Sequence, residues 1–226
     1  MVSLGLSESI TFAFTSKRAF DEANFSESDV RRDCPSIQNP LNEEYSLART
    51  TILPSIMKAL SLNEHNKNSD CGLFEISNVH SSKPDEDGLP TQQANMALGL
   101  SGESFLKLKG ILESLCCAFG INTRYEEGGP EYYHPGRKAY IWMDDEKLGE
   151  MGELHPETME KLDMDGRACV AEIDLDMLLD NAVVEKQYRP LPKYPALERD
   201  MALTVNRNIN VGPMLDMIKD VGGELL

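Results

Sequence analysis

The stretch AYIWMDDEKLGEMGELHP, residues 139–156, holds two apolar-rich runs on either side of a charged turn. Ala139–Met143 and Lys147–Leu154 predict strands, and Asp144–Glu146 predicts the turn between them. Two strands joined by so short a turn run antiparallel. The stretch therefore predicts a hairpin, and with it a sheet built mainly from antiparallel strands.

Further strands are predicted on both sides of this hairpin. Ile10, Phe12 and Phe14 alternate with small or polar residues, and this period of two predicts a half-buried strand. The other predicted strands are Leu73–Val79, Asn95–Leu100, Ile121–Tyr125, Ala168–Leu175 and Met201–Val205. Strands that follow one another with few helices between them favour hairpin connections.

Helices are indicated by apolar residues at a spacing of three and four. Leu53, Ile56 and Leu60 match one helix face, and Pro54 suits the first turn of that helix. Three more helices are predicted, at Glu103–Phe119, Pro156–Leu162 and Val211–Val221. The strands and helices together predict an α+β fold, with helices flanking an antiparallel sheet.

Charge and cysteine content exclude several classes of function. The chain has 226 residues, with 22 Lys+Arg against 38 Asp+Glu and a net charge of −16, so we do not expect the whole surface to clamp a nucleic-acid backbone. The sequence has neither an apolar run of membrane-spanning length nor a signal peptide. Five cysteines without a CxxC pair indicate reduced thiols and a cytoplasmic location.

Five polar residues are candidates for a cleft or for structural corners: Arg49, His134, Arg137, Glu153 and His155. Glu153 and His155 are two residues apart, so on a strand they share a face, and with His134 they could hold a metal ion. The alternative is that both histidines occupy polar corners of turns, since each precedes a proline and no HxH or HExxH motif is present. The pattern favours the turn corners.

Arg49 lies just ahead of the first predicted helix. An arginine beside a helix N-terminus can bind an anion or a carboxylate. It could equally pair with Glu43 or Glu44 nearby in the sequence. The residues alone predict an α+β domain with a cleft near the candidate residues, and they predict no more specific function.

Several segments together resemble the β chain of bacterial phenylalanyl-tRNA synthetase. The most specific is YHPGRKAYIWMDDEKLGEMGELHPE, Tyr133–Glu157, with its His-Pro-Gly-Arg and Gly-Glu-Leu-His-Pro motifs. The others are ESITFAFTS (Glu8–Ser16), NPLNEEYSLARTTILPSIMKAL (Asn39–Leu60), LFEISNVH (Leu73–His80), FLKLKGILESLCCAFGI (Phe105–Ile121) and KYPALERDMALTV (Lys193–Val205). They follow the family's order across almost the whole chain.

The resemblance implies a chain made of two parts. Residues 1–187 correspond to a core with the fold of class II aminoacyl-tRNA synthetase catalytic domains, an antiparallel sheet flanked by helices. Residues 188–226 correspond to the first strand and helix of the family's ferredoxin-like anticodon-binding domain. The family's upstream tRNA-binding and editing domains have no counterpart here, so the chain is expected to be a fragment of the subunit.

The resemblance also implies a supporting function. In this family the α chain carries the chemistry, so the chain is expected to be a non-catalytic core that supports the α chain in an (αβ)₂ enzyme attaching phenylalanine to tRNA(Phe). Class II chemistry holds ATP with an arginine in a Phe-Arg-x-Glu segment and with a Gly-rich segment ending in Arg, and neither occurs here. We therefore expect no catalytic, cofactor-binding or metal-binding residue in this fragment. ATP and Mg²⁺ are expected for the whole enzyme, and tRNA(Phe) for the complete subunit.

Two other functions remain open at this point. One is a free-standing domain of the class II or biotin-ligase type, which would bind a ligand or act on it in the candidate cleft. The other is a metal-dependent hydrolase built on the two histidines and Glu153. The missing ATP-binding arginine motifs count against the first, and the turn-like settings of the histidines count against the second.

Overall fold

The computed structural model describes residues 1–84, 87–103, 105–183, 185, 188, 190 and 193–223. The chain divides into two compact units, Met1–Lys186 and Gln187–Leu226. The domain boundary expected at residue 187 lies outside the described residues.

The described part of the first unit contains nine strands. They are β1 (Ser7–Glu8), β2 (Phe14–Thr15), β3 (Leu47–Ala48), β4 (Gly72–Pro84), β5 (Pro90–Ser101), β6 (Arg124–Glu127), β7 (Tyr133–Met143), β8 (Glu146–Leu154) and β9 (Ala168–Asp174). Seven of them form one sheet in the order β1-β4-β5-β9-β8-β7-β6, while β2 and β3 pair separately. The sheet is antiparallel, as predicted, except that β1 runs parallel to β4 at one edge.

Helices account for most of the remaining regular structure. They are α1 (Lys17–Glu22), α2 (Leu53–His65), α3 (Phe105–Ala118), α4 (Pro156–Lys161) and α5 (Leu175–Asp180) in the first unit, and α6 (Val211–Gly222) in the second. The four predicted helices correspond to α2, α3, α4 and α6. The mixed α+β class is therefore confirmed.

Two helices cover opposite faces of the sheet. α3 places Leu108 and Leu112 in an apolar cluster with Leu98 of β5. The next residue of β5, Gly99, faces the other side, where α2 packs so closely that a Cβ atom would lie 2.7 Å from Ile56. The sheet thus has two cores, one under each helix.

The predicted hairpin at residues 139–156 is confirmed by β7 and β8. Met143 pairs with Glu146, and Asp144 turns the chain with a φ of 51°. β7 begins earlier than predicted, at Tyr133. Its pairing with β8 shifts register between Tyr133 and Lys138, so the His-Pro-Gly-Arg segment bulges out of the ladder.

The predicted half-buried strand at residues 10–15 is wrong in length and in orientation. Only β2 forms there, paired with β3. Exposure does alternate with a period of two, but Ile10, Phe12 and Phe14 are the exposed residues, at 90%, 70% and 47%. Thr11 faces inward instead, because its hydroxyl oxygen accepts a hydrogen bond from the buried Arg49.

Two other predicted strands differ from the structure. β6 begins at Arg124 rather than at Ile121, because Ile121 packs into the apolar cluster beneath α3. Residues 201–205 form no strand with any described residue of the second unit. A strand is stable only when a neighbour pairs with it, so alternating apolar residues alone do not make one there.

Glycine at position 149 is required by the close approach of β8 to β9. A Cβ atom there would collide with the carbonyl oxygen of Glu172 and lie 2.8 Å from the Cα of Ile173. Gly149→Ala should lower the free energy of unfolding by roughly 2 to 3 kcal/mol, since the backbone of β9 cannot retreat without breaking the sheet. Urea unfolding measures the change.

A second glycine provides the control for this prediction. Gly110 lies on α3, where an added Cβ meets no atom within 4 Å. Gly110→Ala should raise the free energy of unfolding by about 0.5 to 1 kcal/mol, because alanine favours the helix. A Gly149→Ala chain as stable as the wild type would contradict the packing described for β8 and β9.

Candidate functional site

Three of the candidate residues line one cleft of about 500 Å³. His134, Arg137 and Glu153 lie where β7 bulges away from β8. The buried side chains of Met159 and Met164 contribute apolar wall on the side of α4. The bulge and the α4 region therefore shape the cleft between them.

The two charged candidates in this cleft, Arg137 and Glu153, are already paired with each other. Glu153 is 5% exposed, and Arg137 engages both of its oxygens, with Nε 2.7 Å from Oε2 and Nη2 donating to Oε1 at 2.9 Å. Arg167 lies 3.9 Å from the same carboxylate. The opposite side of the cleft carries acidic residues, among them Glu160 and Asp165. An anion would therefore meet a neutralised arginine and an acidic rim.

Both candidate histidines cap backbone turns. The Nδ1 atom of His134 accepts a hydrogen bond from the Gly136 amide at 3.1 Å, and Nδ1 of His155 accepts one from the Glu157 amide at 3.2 Å at the start of α4. Among the residues that the structure describes, no three His, Cys, Asp or Glu side chains are grouped as metal ligands would be. These positions are those of turn corners.

Arg49 does not line this cleft. It is 1% exposed, and its Nη2 lies 2.7 Å from Oε1 of Glu75 on β4. Its partner is thus neither Glu43 nor Glu44. The pairing joins residues 26 positions apart, a distance over which local sequence patterns give no signal.

A row of glutamates that the sequence analysis missed crosses one face of the sheet. Glu75 on β4 and Glu172 on β9 both pair in register with Ala97 of β5, one from each side, and Glu172 also pairs with Glu150 of β8. All three glutamates are buried, and we call them the glutamate row. Each of these glutamates interrupts an otherwise apolar strand, as in LFEIS or VAEID. A single carboxylate within an apolar run is the sequence signal that could have revealed them.

Glu150 is held by residues from outside the sheet. Its Oε1 accepts a hydrogen bond from Arg31 at 2.8 Å and another from the hydroxyl of Tyr132. Burial favours a higher pKa, but Arg31, Tyr132 and Lys147 together keep the pKa of Glu150 below its ordinary value. Arg31 is itself stacked over the ring of Phe25, so this pair fixes residues 25–31 onto the sheet.

Glu172 fixes the start of α2 to β9. Its carboxylate accepts hydrogen bonds from the Thr51 hydroxyl, from the Ile52 amide at 3.0 Å and from Asn95 at 2.9 Å. The partial positive charge of a helix N-terminus suits a carboxylate at this place. Burial raises the pKa of Glu172, and the hydrogen bonds from Asn95, Thr51 and Ile52, with the charge of Arg31, offset this rise in part.

Solved structures identify the fold. Pyrrolysyl-tRNA synthetase from Desulfitobacterium hafniense matches with a TM-score of 0.62 and 14% identity over 79% of this chain and 63% of that one. A second structure of the same synthetase gives a TM-score of 0.60 at 13% identity. At these identities the likeness concerns the fold alone, an α+β architecture that the chain shares with this synthetase.

Sequence comparisons identify the family. The family model for the phenylalanyl tRNA synthetase beta chain CLM domain matches residues 1–175, so the chain belongs to this family. Phenylalanine–tRNA ligase beta subunits are 38% identical in Clostridium tetani and 36% identical in Clostridium acetobutylicum, each over 100% of this chain. The chain spans 29% of the length of these relatives.

A helix that crosses a membrane needs roughly 20 consecutive, mainly apolar residues. None of the described helices is both long enough and apolar enough to cross a bilayer.

The setting of Glu150 predicts how stability depends on pH. Because its pKa in the folded chain is lower than in the unfolded chain, the carboxylate stabilises the fold above the unfolded value, and this contribution is lost as the pH falls through the folded value. Glu150→Gln should lower the free energy of unfolding by about 2 kcal/mol at pH 7, and the difference should shrink below pH ~4.

Glu126 on the edge strand is the matched control for this substitution. Its carboxylate is exposed and lies 3.5 Å from Arg124, so Glu126→Gln should change the free energy of unfolding by less than about 0.5 kcal/mol. Denaturation curves of the wild type and both variants between pH 3 and pH 7 give the free energy of unfolding at each pH and so test the assigned role of Glu150. A Glu150→Gln difference that stays constant across this range would refute the assigned role.

Proposed function

We propose that this chain is the non-catalytic structural core of a phenylalanyl-tRNA synthetase β chain and that it supports an α chain, which carries out the attachment of phenylalanine to tRNA(Phe). The observation that carries the proposal is an apolar surface turned to solvent at the N-terminal segment. Membership of the β-chain family and the paired charges on the sheet face support it.

The glutamate row is the reason to propose a non-catalytic role. Adenylate formation needs cations placed against phosphoryl oxygens. On this face, Arg31 and Arg49 are instead bound to Glu150 and Glu75, and Glu172 adds a further buried carboxylate. The residues present here do not fit the phosphates of ATP.

The apolar surface supports docking of a protein partner. Ile10, Phe12 and Phe14, which we call the apolar strip, are exposed side by side. A groove of about 330 Å³ lies between the strip and α2, where Leu62 is also exposed. The charged residues around it are Arg18, Glu22, Glu44 and Lys58. An apolar centre with a charged rim is the usual anatomy of a protein interface.

The whole enzyme lies beyond this chain and enters as part of the proposal. We assign the α chain as the partner, in an (αβ)₂ assembly in the cytoplasm that uses ATP and Mg²⁺. tRNA(Phe) would bind through the complete β chain. The acidic net charge of −16 suits a protein partner better than an RNA backbone.

For residues 188–226 we propose the start of a ferredoxin-like anticodon-binding domain. α6 is amphipathic, and apolar residues that share a face of it, such as Val211 and Leu215, are exposed. Met201, Leu203 and Val205 alternate and are also exposed. Such a set is expected of an element whose apolar side is covered by further strands and helices.

Docking through the apolar strip can be tested directly. Phe12→Ser should weaken binding of the matching α chain at least tenfold, roughly the effect of removing an aromatic anchor from an interface, without lowering the melting temperature. Leu106→Ser is the control, because Leu106 is 72% exposed on α3 and away from the strip. Titration calorimetry measures both, and equal affinities for Phe12→Ser and the wild type would exclude the strip as the docking surface.

The non-catalytic role makes a separate prediction. The purified chain should catalyse no phenylalanine-dependent exchange of pyrophosphate into ATP, with or without Mg²⁺, because Arg31, Arg49 and Arg137 are paired with carboxylates. A preparation of the α chain with a complete β chain is the positive control. Exchange by this chain alone that disappears in Arg137→Ala would show that the cleft at His134 is an active site.

A further inference from the structure

The segment that carries the apolar strip faces the opposite way from an ordinary surface strand. Its apolar side chains point to solvent, while Thr11, Ala13 and Thr15 are the less exposed positions. A surface segment left to the hydrophobic effect alone would bury its phenylalanines. Some interaction on the inner side must therefore hold this orientation.

That interaction is a polar cluster of the buried residues Arg49 and Glu75 with the half-buried Thr11, which we call the clamp. The guanidinium of Arg49 donates to Glu75 at 2.7 Å through Nη2 and to the Thr11 hydroxyl at 2.8 Å through Nη1. The Thr11 hydroxyl in turn donates to Glu75 Oε2 at 2.8 Å. Each member of the clamp thus contacts both others.

The clamp also holds the backbone of the strip. Nη1 of Arg49 lies 3.3 Å from the carbonyl oxygen of Phe12, and the Arg49 amide donates to the carbonyl oxygen of Ala13 at 3.0 Å. The Arg49 carbonyl accepts from the His80 amide at 2.8 Å on β4. Through one arginine, the strip is fastened to the sheet on its inner side.

Stability alone is a weak reason for such a cluster. A buried ion pair can often be replaced by apolar side chains of similar volume with no loss of stability, because its desolvation offsets its attraction. Here the Nε of Arg49 has no hydrogen-bond partner among the described residues, which adds to that penalty. What apolar side chains cannot supply is the directional hold on Thr11 and on the Phe12 carbonyl.

We propose that Arg49 and Glu75 are positioning residues for partner docking, and that they fix the apolar strip in the conformation that the α chain recognises. This inference rests on the proposed function. A segment held in its bound conformation before binding loses less conformational freedom when the partner arrives. The clamp would thereby increase affinity without touching the partner.

The test separates positioning from stability. The double variant Arg49→Met/Glu75→Leu removes both charges and keeps apolar volume, so its melting temperature should stay close to that of the wild type. Its affinity for the matching α chain should nevertheless fall about tenfold or more. Hydrogen exchange of peptides covering residues 9–15 should become at least about tenfold faster, while exchange in α3 stays unchanged.

A second variant keeps the inference testable if the double variant does not fold. Thr11→Val leaves the ion pair in place and removes the hydrogen bonds of the Thr11 hydroxyl. Because Arg49 still reaches the carbonyl oxygens of Phe12 and Ala13, this variant should show the same losses to a smaller degree. The control is Arg137→Met/Glu153→Leu, which replaces the ion pair of the cleft and should leave both affinity and exchange at residues 9–15 unchanged.

The outcomes distinguish this inference from the proposed function. If the wild-type chain does not bind the α chain, the proposed function fails, and the exchange data alone then decide whether the clamp orders the strip. If the wild type binds and the folded double variant binds equally well, the positioning role is refuted. Faster hydrogen exchange in every element of the double variant would likewise refute the positioning role, because it would show that the clamp stabilises the whole fold rather than the strip.

Discussion

The burial of three carboxylates on one face of the sheet is the constraint on which the rest of this structure depends. A buried carboxylate must be paired or hydrogen-bonded, and each glutamate of the row meets this need with a different segment of the chain. Glu75 binds Arg49, Glu172 binds the start of α2, and Glu150 binds Arg31. The way this face is covered is therefore set by charge as well as by apolar packing.

The same pairings separate fold from function. The chain shares its architecture with pyrrolysyl-tRNA synthetase, yet a fold alone does not determine chemistry. Both arginines that reach this face are bound to the glutamates of the sheet. A sheet with the architecture of a synthetase can in this way keep its helices without binding ATP, and the proposed role then belongs to the exposed apolar strip.

Much of the fold was predictable from the sequence, and the failures have a common physical cause. The hairpin of β7 and β8, α2 and α3 follow from local periodicity, which burial on one side imposes. Periodicity does not say which side is buried, so the orientation of Ile10 and Phe12 was missed. The partner of Arg49 was missed because it lies on another strand. Residues 201–205 have the alternating pattern of a strand but pair with no described residue of the second unit.

The three carboxylates also differ in their effect on stability and on the surface that they support. Glu150 has a cation and a tyrosine hydroxyl, and its depressed pKa means that its ionised form favours the folded chain. The hydrogen-bond donors to Glu172 among the described residues are neutral, and its raised pKa means that its ionised form destabilises the folded chain, an effect that the start of α2 partly offsets. Glu75 shares its cation with Thr11 and the Phe12 carbonyl. Arg49 and Thr11 connect Glu75 to the apolar strip, which is why replacing Glu75 and Arg49 together should affect recognition more than stability.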